Sequence, residues 1–298
     1  MTVSFVAEVS SNHHRDLSRC LLFIDTAAEL GCVAVKFQLF KVAELFAPAI
    51  LAVSPSHSAR AQWELPLAFL PALAQRCRER KIQFSCTPFY LAAVAELLPY
   101  VDFYKIASYE LLWDELLATC AQTGKPVVLS TGMATSAEID HAVAVLRNNG
   151  CATPTLLHCV SGYPTPVREC NLAALETLQR RFNCPVGWSD HTVNAAVIHR
   201  AVHRWGAEMV EFHLDLDGQG EEFKTGHCWL PEPMRELIAS ITTGELADGD
   251  GHKAPMPSEL AGRDWRADPV DGLRPLRSQR DEFVSAILSR STKEQARK

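Results

Sequence analysis

The sequence has no Cys-x-x-Cys pair, although cysteine occurs ten times among its 298 residues. Single, scattered cysteines are typical of small buried apolar side chains in a reducing compartment, so we expect free thiols. The sequence also lacks the basic start and apolar stretch of a signal peptide, and no apolar run approaches the roughly 20 residues that span a bilayer. We therefore expect a cytoplasmic protein with no membrane partner.

An excess of positive charge is missing as well. The formal net charge of −6 argues against a nucleic-acid partner, although a local basic pocket for a phosphorylated ligand is compatible with it. Hydrophobic residues make up 47% and charged residues 21% of the chain, which is ordinary for a globular protein. The composition therefore indicates a sizeable core built as one large domain or two small ones.

Short β-rich runs alternate with stretches of helical period along most of the chain. The runs are β-branched or wholly apolar, as expected of parallel strands covered on both faces. Amphipathic helices are predicted between them, for example at Leu17–Leu30, Ile139–Leu146 and Ala195–Trp205, with capping residues at Thr135. The predicted strands are Val3–Val9, Cys32–Phe37, Ile82–Cys86, Phe103–Ala107, Pro126–Ser130, Thr155–Cys159, Pro185–Trp188 and Glu208–His213.

No glycine-rich loop follows the first predicted strand, which runs directly into Glu8-Val9-Ser10. A doubly wound open sheet usually carries such a loop there. Eight strand–helix units favour instead a closed (β/α)₈ TIM barrel of the α/β class, whose usual size is about 250 residues. We expect this barrel over residues 1–243, with an insertion at Lys41–Trp63 lying over the strand C-terminal ends.

The remaining segment, residues 244–298, breaks the strand–helix rhythm. Its first part, 244–272, is rich in Gly, Asp and Pro, and a last helix is predicted at about Ser278–Ser289. The apolar stripe of that helix predicts packing on the barrel or on a partner subunit.

An ionisable or hydroxyl residue closes or follows every predicted strand. In barrels of this kind the chemistry lies at the C-terminal ends of the strands. One polar strand end is ordinary, but eight in succession indicate a ligand site. They are Glu8, Lys36, Thr87, Lys105, Ser130, His158, Ser189 with His191, and His213.

Lys36 and Lys105 end otherwise apolar strands, where an unpaired ammonium group is costly. They need an anion, and a small molecule with a phosphate and a carboxylate would use both. The alternatives are an ion pair with a neighbouring carboxylate, or a Schiff base of the aldolase type. Glu8 is a candidate for such a pair, or for binding a sugar hydroxyl, stabilising a developing cation or handling a proton.

His191 and His213 follow neighbouring strands and can meet over the barrel mouth. Two neutral imidazoles with open positions suit a divalent metal acting as a Lewis acid. His199 and His203 have metal-like spacing but lie within a helix, so we expect surface or packing roles for them. His158, in an apolar strand, is expected to be a hydrogen-bonded core histidine.

Several strings of the sequence resemble the N-acetylneuraminate (sialic acid) synthases and their legionaminate and pseudaminate relatives. They occur in family order over roughly the first 230 residues, and STGMAT, YPTP and SDHT are together specific. The strings are AEVSSNH at 7–13, AVKFQLFK at 34–41, CTPF at 86–89, YKIASYEL at 104–111, TGKPVVLSTGMAT at 123–135, LLHCVSGYPTP at 156–166, VGWSDHT at 186–192 and VEFHLDLD at 210–217.

The resemblance implies an enzyme that joins C3 of phosphoenolpyruvate to the open-chain aldehyde of an N-acylated mannosamine-type sugar. Water then attacks C2 and phosphate leaves. The family's metal ligands fall on His191 and His213. The implied metal is Mn²⁺, with Mg²⁺ or Co²⁺ as alternatives, and a homodimer is the implied assembly.

The resemblance also assigns substrate contacts residue by residue. Glu8 is expected near the reacting carbons. The phosphoenolpyruvate contacts fall on Lys36, Thr87, Lys105, Ser108, Ser130, Ser161 and Ser189. The sugar contacts fall on Glu8, Glu110, Tyr163, Glu222 and His227.

The chain departs from the family pattern at three positions, Arg15, Phe212 and Gly226. Gly226 stands where the family has an aspartate near the sugar, and Glu222 or His227 is the expected substitute. The family's C-terminal antifreeze-like domain has no counterpart within 244–298. The alternatives left open are condensation with another aldose, phosphorylated if Arg15 binds a phosphate, a metal-dependent or Schiff-base barrel aldolase, and a non-enzymatic sugar-binding descendant.

Overall fold

Eight parallel strands close into a barrel in this computed structural model, which describes residues 3–295, with side chains up to residue 288. Neighbours in sequence pair throughout, and β1 also pairs with β8, which closes the barrel. A short ninth strand pairs with β8 beyond the barrel. The strands are β1 Ser4–Glu8, β2 Ala34–Leu39, β3 Gln83–Pro88, β4 Phe103–Ile106, β5 Val127–Ser130, β6 Thr155–His158, β7 Val186–Asp190, β8 Met209–Leu214 and β9 Cys228–Trp229.

The predicted barrel is confirmed, but four strands extend further at their C-terminal ends than predicted, β8 by the single residue Leu214. β2 continues to Leu39, β3 to Pro88 and β7 to Asp190. Lys36 therefore lies in the middle of β2 and not at its end, because the strand continues through polar residues that face the barrel interior.

The helices that lie between the strands cover the outside of the barrel, and the last two helices belong to the segment after Gly244. The predicted helices are present with shifted ends. Thr135 caps α8 in a capping box with Glu138. The helices are α1 Leu17–Glu29, α2 Val42–Leu45, α3 Pro48–Val53, α4 Pro55–Ser58, α5 Leu70–Arg80, α6 Leu91–Leu97, α7 Asp114–Gln122, α8 Ser136–Asn148, α9 Ala174–Phe182, α10 Ala195–His203, α11 Pro231–Ala247, α12 Pro257–Leu260 and α13 Arg280–Gln295.

The barrel interior consists of an apolar floor and a polar layer above it. The floor is a small cluster of buried side chains, comprising Val6, Ala34, Phe103, Val128 and Leu157. Side chains two residues apart on a strand share a face, so the next inward positions lie one layer closer to the mouth. On four strands those positions hold Glu8, Lys36, Lys105 and Ser130, all buried. The larger apolar core lies between the sheet and the helices.

The insertion after β2 folds into the short helices α2, α3 and α4 and a 3₁₀ turn at Ala59–Trp63. Arg15, in the loop after β1, donates a hydrogen bond to the Ala61 carbonyl at 3.3 Å. The end of the insertion therefore lies beside the loop that follows β1, and a position of the whole insertion over the strand ends stays a prediction.

The chain divides into two compact units between Gly244 and Glu245. In the second unit Trp265 packs against Phe283 of α13, with ring centroids 4.7 Å apart. The packing of this segment on the barrel or on a partner stays a prediction. Among the described residues, no helix is both long and apolar enough to cross a membrane.

Candidate active site

Lys36 lies in the polar layer among two carboxylates and a hydroxyl group. It forms a close ion pair with Glu8 and donates a hydrogen bond to Thr87 Oγ1 at 3.2 Å. Its Nζ also lies 3.9 Å from Glu211 Oε1. Burial lowers the pKa of Lys36, but the charges of Glu211 and Glu8 outweigh burial and raise it. Lys36 is therefore a charged ammonium group.

Lys105 reaches the same carboxylate from the other side of the barrel. Its Nζ lies 3.7 Å from Glu211 Oε1 and donates to Ser130 Oγ at 2.6 Å and to the Ile106 carbonyl at 3.3 Å. Burial lowers the pKa of Lys105. Two ammonium groups thus converge on one buried oxygen, which makes this layer a candidate anion site.

Glu211 is a site residue that the sequence analysis did not single out. It is buried, and Ser189 donates to its Oε1 at 3.3 Å. The charges of Lys105 and Lys36 outweigh burial and hold its pKa below the usual range. Strand alternation could have identified Glu211 from the sequence, because Glu211 and His213 are two residues apart and therefore share the inward face of β8.

Glu8 ends β1 opposite Lys36 of β2 and His213 of β8. Gln38 Nε2 donates to its Oε1 at 2.9 Å. Burial raises the pKa of Glu8. The predicted ion pair with Lys36 is confirmed, and the carboxylate lies between the candidate anion site and the histidines.

The loop after β5 meets the loops after β4 and β6 at a narrow corner. The Gly132 N–H donates to Ser108 Oγ at 3.0 Å, and Ser108 Oγ lies 3.2 Å from Cys159 Sγ. A side chain at position 132 would collide with Ser108, Cys159 and Ser161, so the corner requires glycine. Within the described residues, the buried Ser161 Oγ has no hydrogen-bond partner.

Glu110 follows β4 in a 3₁₀ turn and is almost fully buried. Its Oε2 has no partner within residues 3–295. Burial raises the pKa of Glu110 to about 7. Two buried polar atoms, one on Glu110 and one on Ser161, are thus available to a ligand.

His191 and His213 meet over the mouth, with ring centroids 5.2 Å apart. His191 Nδ1 lies 2.8 Å from the Val160 carbonyl, so it carries the proton and leaves Nε2 free. Burial lowers the pKa of His191 to about 3, which keeps the ring neutral. A neutral imidazole with an oriented free nitrogen is the form that binds a metal.

A loop between β8 and β9 brings Glu222 and His227 next to His213. Glu222 Oε2 lies 2.7 Å from His213 Nδ1 and 3.3 Å from His227 Nε2, and Ser10 donates to Oε1. The Glu222 N–H donates to Asn12 Oδ1 at 2.9 Å, which ties the loop to the segment after β1.

Tyr163 covers this group from the solvent side, with 42% of its surface exposed. Its ring centroid lies 4.3 Å from that of His191 and 4.9 Å from that of His227. It is therefore the outermost of the predicted sugar contacts that the structure brings together at the histidines.

His158 and the pair His199 and His203 have partners outside this group. His158 Nε2 is 2.9 Å from the Cys170 carbonyl, and the ring packs on Trp188. His199 and His203 stack on each other on α10, and His199 lies 2.9 Å from Ser240 Oγ of α11. The expectation that this pair has a surface or packing role is confirmed.

A closed parallel barrel with converging lysines and histidines at one mouth defines a TIM-barrel enzyme. The sequence profile of the NeuB family matches residues 23–253. The chain belongs to the NeuB family, and the resemblance noted from its sequence strings is confirmed.

Individual relatives agree with this assignment. The chain is 34% identical over 269 residues to the N,N'-diacetyllegionaminic acid synthase of Campylobacter jejuni, covering 85% of this chain and 80% of the relative. It is 30% identical over 307 residues to the synthase of the same name from Legionella pneumophila, covering 97% and 84%. The crystal structure of the N-acetylneuraminic acid synthetase of Leptospira borgpetersenii in complex with citrate matches with a TM-score of 0.77 at 31% identity, covering 88% of this chain and 90% of that chain.

Proposed function

We propose that this protein condenses phosphoenolpyruvate with the aldehyde of an N-acylated hexosamine, giving a nonulosonic acid and inorganic phosphate. The observation that carries the proposal is the convergence of Lys36 and Lys105 on one buried oxygen beside Glu8 and His213. That arrangement offers a binding site for a small dianion next to groups that can act on a carbonyl compound.

In this proposal phosphoenolpyruvate occupies the polar layer and the corner at Gly132. The two ammonium groups, which are already paired with Glu8 and Glu211, would attract its phosphate and carboxylate. Ser108 and Ser161 have hydroxyl groups at the corner, and the second of these lacks a partner. The remaining predicted contacts, Thr87, Ser130 and Ser189, already hydrogen-bond the charged residues of the layer and would hold them in place.

A divalent cation would be held by His191 and His213. The donor chemistry fits, because both rings have Nδ1 engaged with an acceptor and Nε2 free. When bound, the cation supplies Lewis-acid polarisation of the aldehyde oxygen. Mn²⁺ is the metal we propose, with Mg²⁺ and Co²⁺ as alternatives to be compared in the assay.

The sugar then lies on the solvent side of the polar layer. Glu8 is near the reacting carbons, Glu110 accepts or donates through its free Oε2, and Tyr163 covers the sugar. A sugar contact for Glu222 and His227 stays a prediction, and their hydrogen bonds to each other and to His213 hold them beside the histidines.

The chemistry forms one carbon–carbon bond and breaks one carbon–oxygen bond. C3 of phosphoenolpyruvate bonds to the aldehyde carbon, whose oxygen takes a proton. Water adds at C2, its proton passes to a carboxylate, and the C2–O bond to phosphate breaks with release of inorganic phosphate. Glu8 is the proposed proton acceptor, because it is buried and paired with Lys36 beside the anion site.

The test is phosphate release from phosphoenolpyruvate with Mn²⁺ across a panel of N-acyl hexosamines and their 6-phosphates. We expect release with one sugar, abolished by EDTA and by His191→Ala and retained in His199→Ala, a matched histidine removal on the outer surface. Equal use of phosphorylated and free sugars would remove any role for Arg15 in binding phosphate. Borohydride trapping of a lysine adduct with pyruvate, without phosphate release, would indicate an aldolase instead. A cytoplasmic location and a homodimer stay predictions.

A further inference from the structure

Three large side chains with apolar surface are exposed on one side of the barrel mouth. They are in the loops that follow β4, β5 and β6, which are neighbouring strands. The exposed fraction is 66% for Tyr109, 61% for Met133 and 42% for Tyr163. Single exposed apolar residues need no explanation, whereas a group of them at one place indicates a binding surface. We call these three residues the apolar rim.

The apolar rim lies around the corner at Gly132, because each rim residue follows a corner residue by one or two positions. Ser108 Oγ accepts a hydrogen bond from the Gly132 N–H at 3.0 Å, and a side chain at position 132 would also collide with Ser161. Consecutive Cα atoms are about 3.8 Å apart, so residues next to the corner also lie close to one another. Burial raises the pKa of Tyr163, and the neighbouring Tyr109 adds to the rise, in agreement with this proximity.

The backbone at Met133 has a conformation that favours glycine. Its φ is +65°, in a turn that is closed by a hydrogen bond from the Ala134 N–H to the Thr131 carbonyl at 3.4 Å. Residues other than glycine rarely adopt this left-handed region, because Cβ then crowds the backbone. The chain thus holds a long apolar side chain at a strained and exposed position. Strain of this kind clusters at ligand sites, so it supports a binding role for Met133.

The 3₁₀ turn after β4 combines a buried polar group with an exposed ring. Glu110 is buried, and its Oε2 has no hydrogen-bond partner in the described part of the chain. Tyr109, the residue before it, is exposed at the mouth. A ligand that occupies the mouth is therefore offered one polar atom from below and apolar surface at its edge. This combination is typical of sites for small molecules that are partly polar and partly apolar.

We propose that the apolar rim binds the acyl chain of the acceptor sugar, so that Tyr109 and Met133 determine specificity for the N-acyl group. The inference rests on the proposed function and specifies how the same site recognises its sugar. In an N-acyl hexosamine the acylamino group is on C2, beside the aldehyde carbon C1. When C1 is close enough to phosphoenolpyruvate to form the carbon–carbon bond, the acyl chain is only a few bonds from the corner at Gly132. Apolar side chains at that place suit a hydrocarbon chain and not a hydroxyl group.

The exposure of the apolar rim predicts how the protein responds to longer acyl chains. A closed pocket accepts one chain length and rejects longer chains by steric overlap. The apolar rim is open to solvent, so a propanoyl or butanoyl group can extend along it. Burial of one additional CH₂ group increases affinity by up to about fourfold. Affinity should therefore rise with the length of the acyl chain.

The experiment measures binding of sugars that cannot react, so its outcome is separate from that of the phosphate-release assay. N-acetyl-, N-propanoyl- and N-butanoylmannosamine are reduced to their alditols, which have no aldehyde. Their affinities for the protein with Mn²⁺ and phosphoenolpyruvate are determined by calorimetry. We expect affinity to rise about tenfold from acetyl to butanoyl. In Met133→Gly and in Tyr109→Ala the rise should fall below about threefold, whereas Tyr109→Phe keeps the ring and should keep the wild-type series.

Lys81→Gly is the matched control for Met133→Gly. Lys81 is exposed and has a φ of +59°, but it follows α5 and precedes β3, at the end of the barrel opposite the mouth. Both glycine variants should be at least as stable as the wild type in thermal unfolding, because glycine adopts this conformation without strain. A flattened affinity series in Met133→Gly but not in Lys81→Gly would therefore report binding and not folding.

Equal affinities of the three alditols for the wild-type protein, or no binding of any of them, would overturn the proposal. A wild-type series in both Met133→Gly and Tyr109→Ala would also overturn it, and a change of their oligomeric state in sedimentation would then assign the apolar rim to a protein partner. A series that depends on the rim, without phosphate release from the unreduced sugars, would support the acyl site and refute the proposed reaction. Phosphate release with a flat series would overturn only the acyl site.

Discussion

Replacing Glu211 by glutamine tests whether one buried carboxylate neutralises the lysines of the polar layer. The change keeps the shape of the side chain and removes its charge. Lys36 retains its ion pair with Glu8, but Lys105 is left with only Ser130 and a backbone carbonyl. The cost of Glu211→Gln should therefore fall mainly on Lys105.

The distances set the expected magnitude. At 3.7 Å between Lys105 Nζ and Glu211 Oε1, the attraction is about 4 kcal/mol at an effective dielectric constant of about 20. Removing one partner of a buried pair typically costs about 3–5 kcal/mol, because the other charge stays buried. We expect Glu211→Gln to lower the free energy of unfolding by that amount.

The assay is a double-mutant cycle by urea unfolding of the metal-free protein. Glu211→Gln combined with Lys105→Met should be more stable than the sum of the single effects predicts, with a coupling of about 2 kcal/mol or more. Asp140→Asn, which breaks an exposed ion pair with Arg181, is the control and should change little. Additivity of the two buried changes within about 0.5 kcal/mol would refute the pairing.

Three further predictions concern single positions. Gly132→Ala would put a methyl group 2.8 Å from Ser108 Oγ and 2.9 Å from Cys159 Sγ. The affinity for phosphoenolpyruvate, measured by calorimetry, should therefore fall about tenfold while the circular dichroism spectrum stays the same. An unchanged affinity would show that this corner is not part of the anion site. Burial raises the pKa of Glu110 to about 7, so the folded protein holds the protonated carboxyl group more tightly than the unfolded chain does. Relative to Glu110→Gln, the free energy of unfolding should therefore fall by up to about 3 kcal/mol as the pH rises from 4.5 through 7. The same pH dependence of urea unfolding in both proteins would contradict this. Thr135→Ala removes the capping box of α8 and should lower the free energy of unfolding, measured by heat or urea, by about 1 kcal/mol. Phosphate release should be unchanged, and a loss of activity would indicate a role for Thr135 beyond the cap.

The barrel could be predicted from the sequence because its strands are apolar on both faces over most of their length. The predicted ends fail where that pattern stops. β2 continues through Gln38, and β3 through Thr87, because these residues face the interior and are polar. A prediction based on hydrophobic periodicity therefore places the C-terminal ends of strands too early, at the side of the barrel where the polar layer begins.

The candidate site was predictable in its charged residues but not in their partners. Lys36, Lys105, His191 and His213 stand out because charged or polar side chains are unusual beside apolar runs. Glu211 also lies in an apolar run, but its role in the site depends on its contacts with Lys36 of β2 and Lys105 of β4, which are far away in sequence.

The loop that contains Glu222 shows the same limit. Its position depends on Asn12, and nothing local in the sequence from 218 to 227 indicates that contact. Long-range hydrogen bonds of this kind fix a loop only after the barrel has closed, so the sequence pattern alone does not predict them.

The pairing of β1 with β8 has a consequence for biosynthesis. During translation, Lys36 and Lys105 leave the ribosome long before Glu211, which is on the last barrel strand. Until that strand docks, the nascent chain lacks Glu211, the carboxylate that lies within 4 Å of both ammonium groups, so burying both would be unfavourable. Closure of the barrel and neutralisation of its interior must then occur together, and fragments that end before β8 should remain open and depend on chaperones.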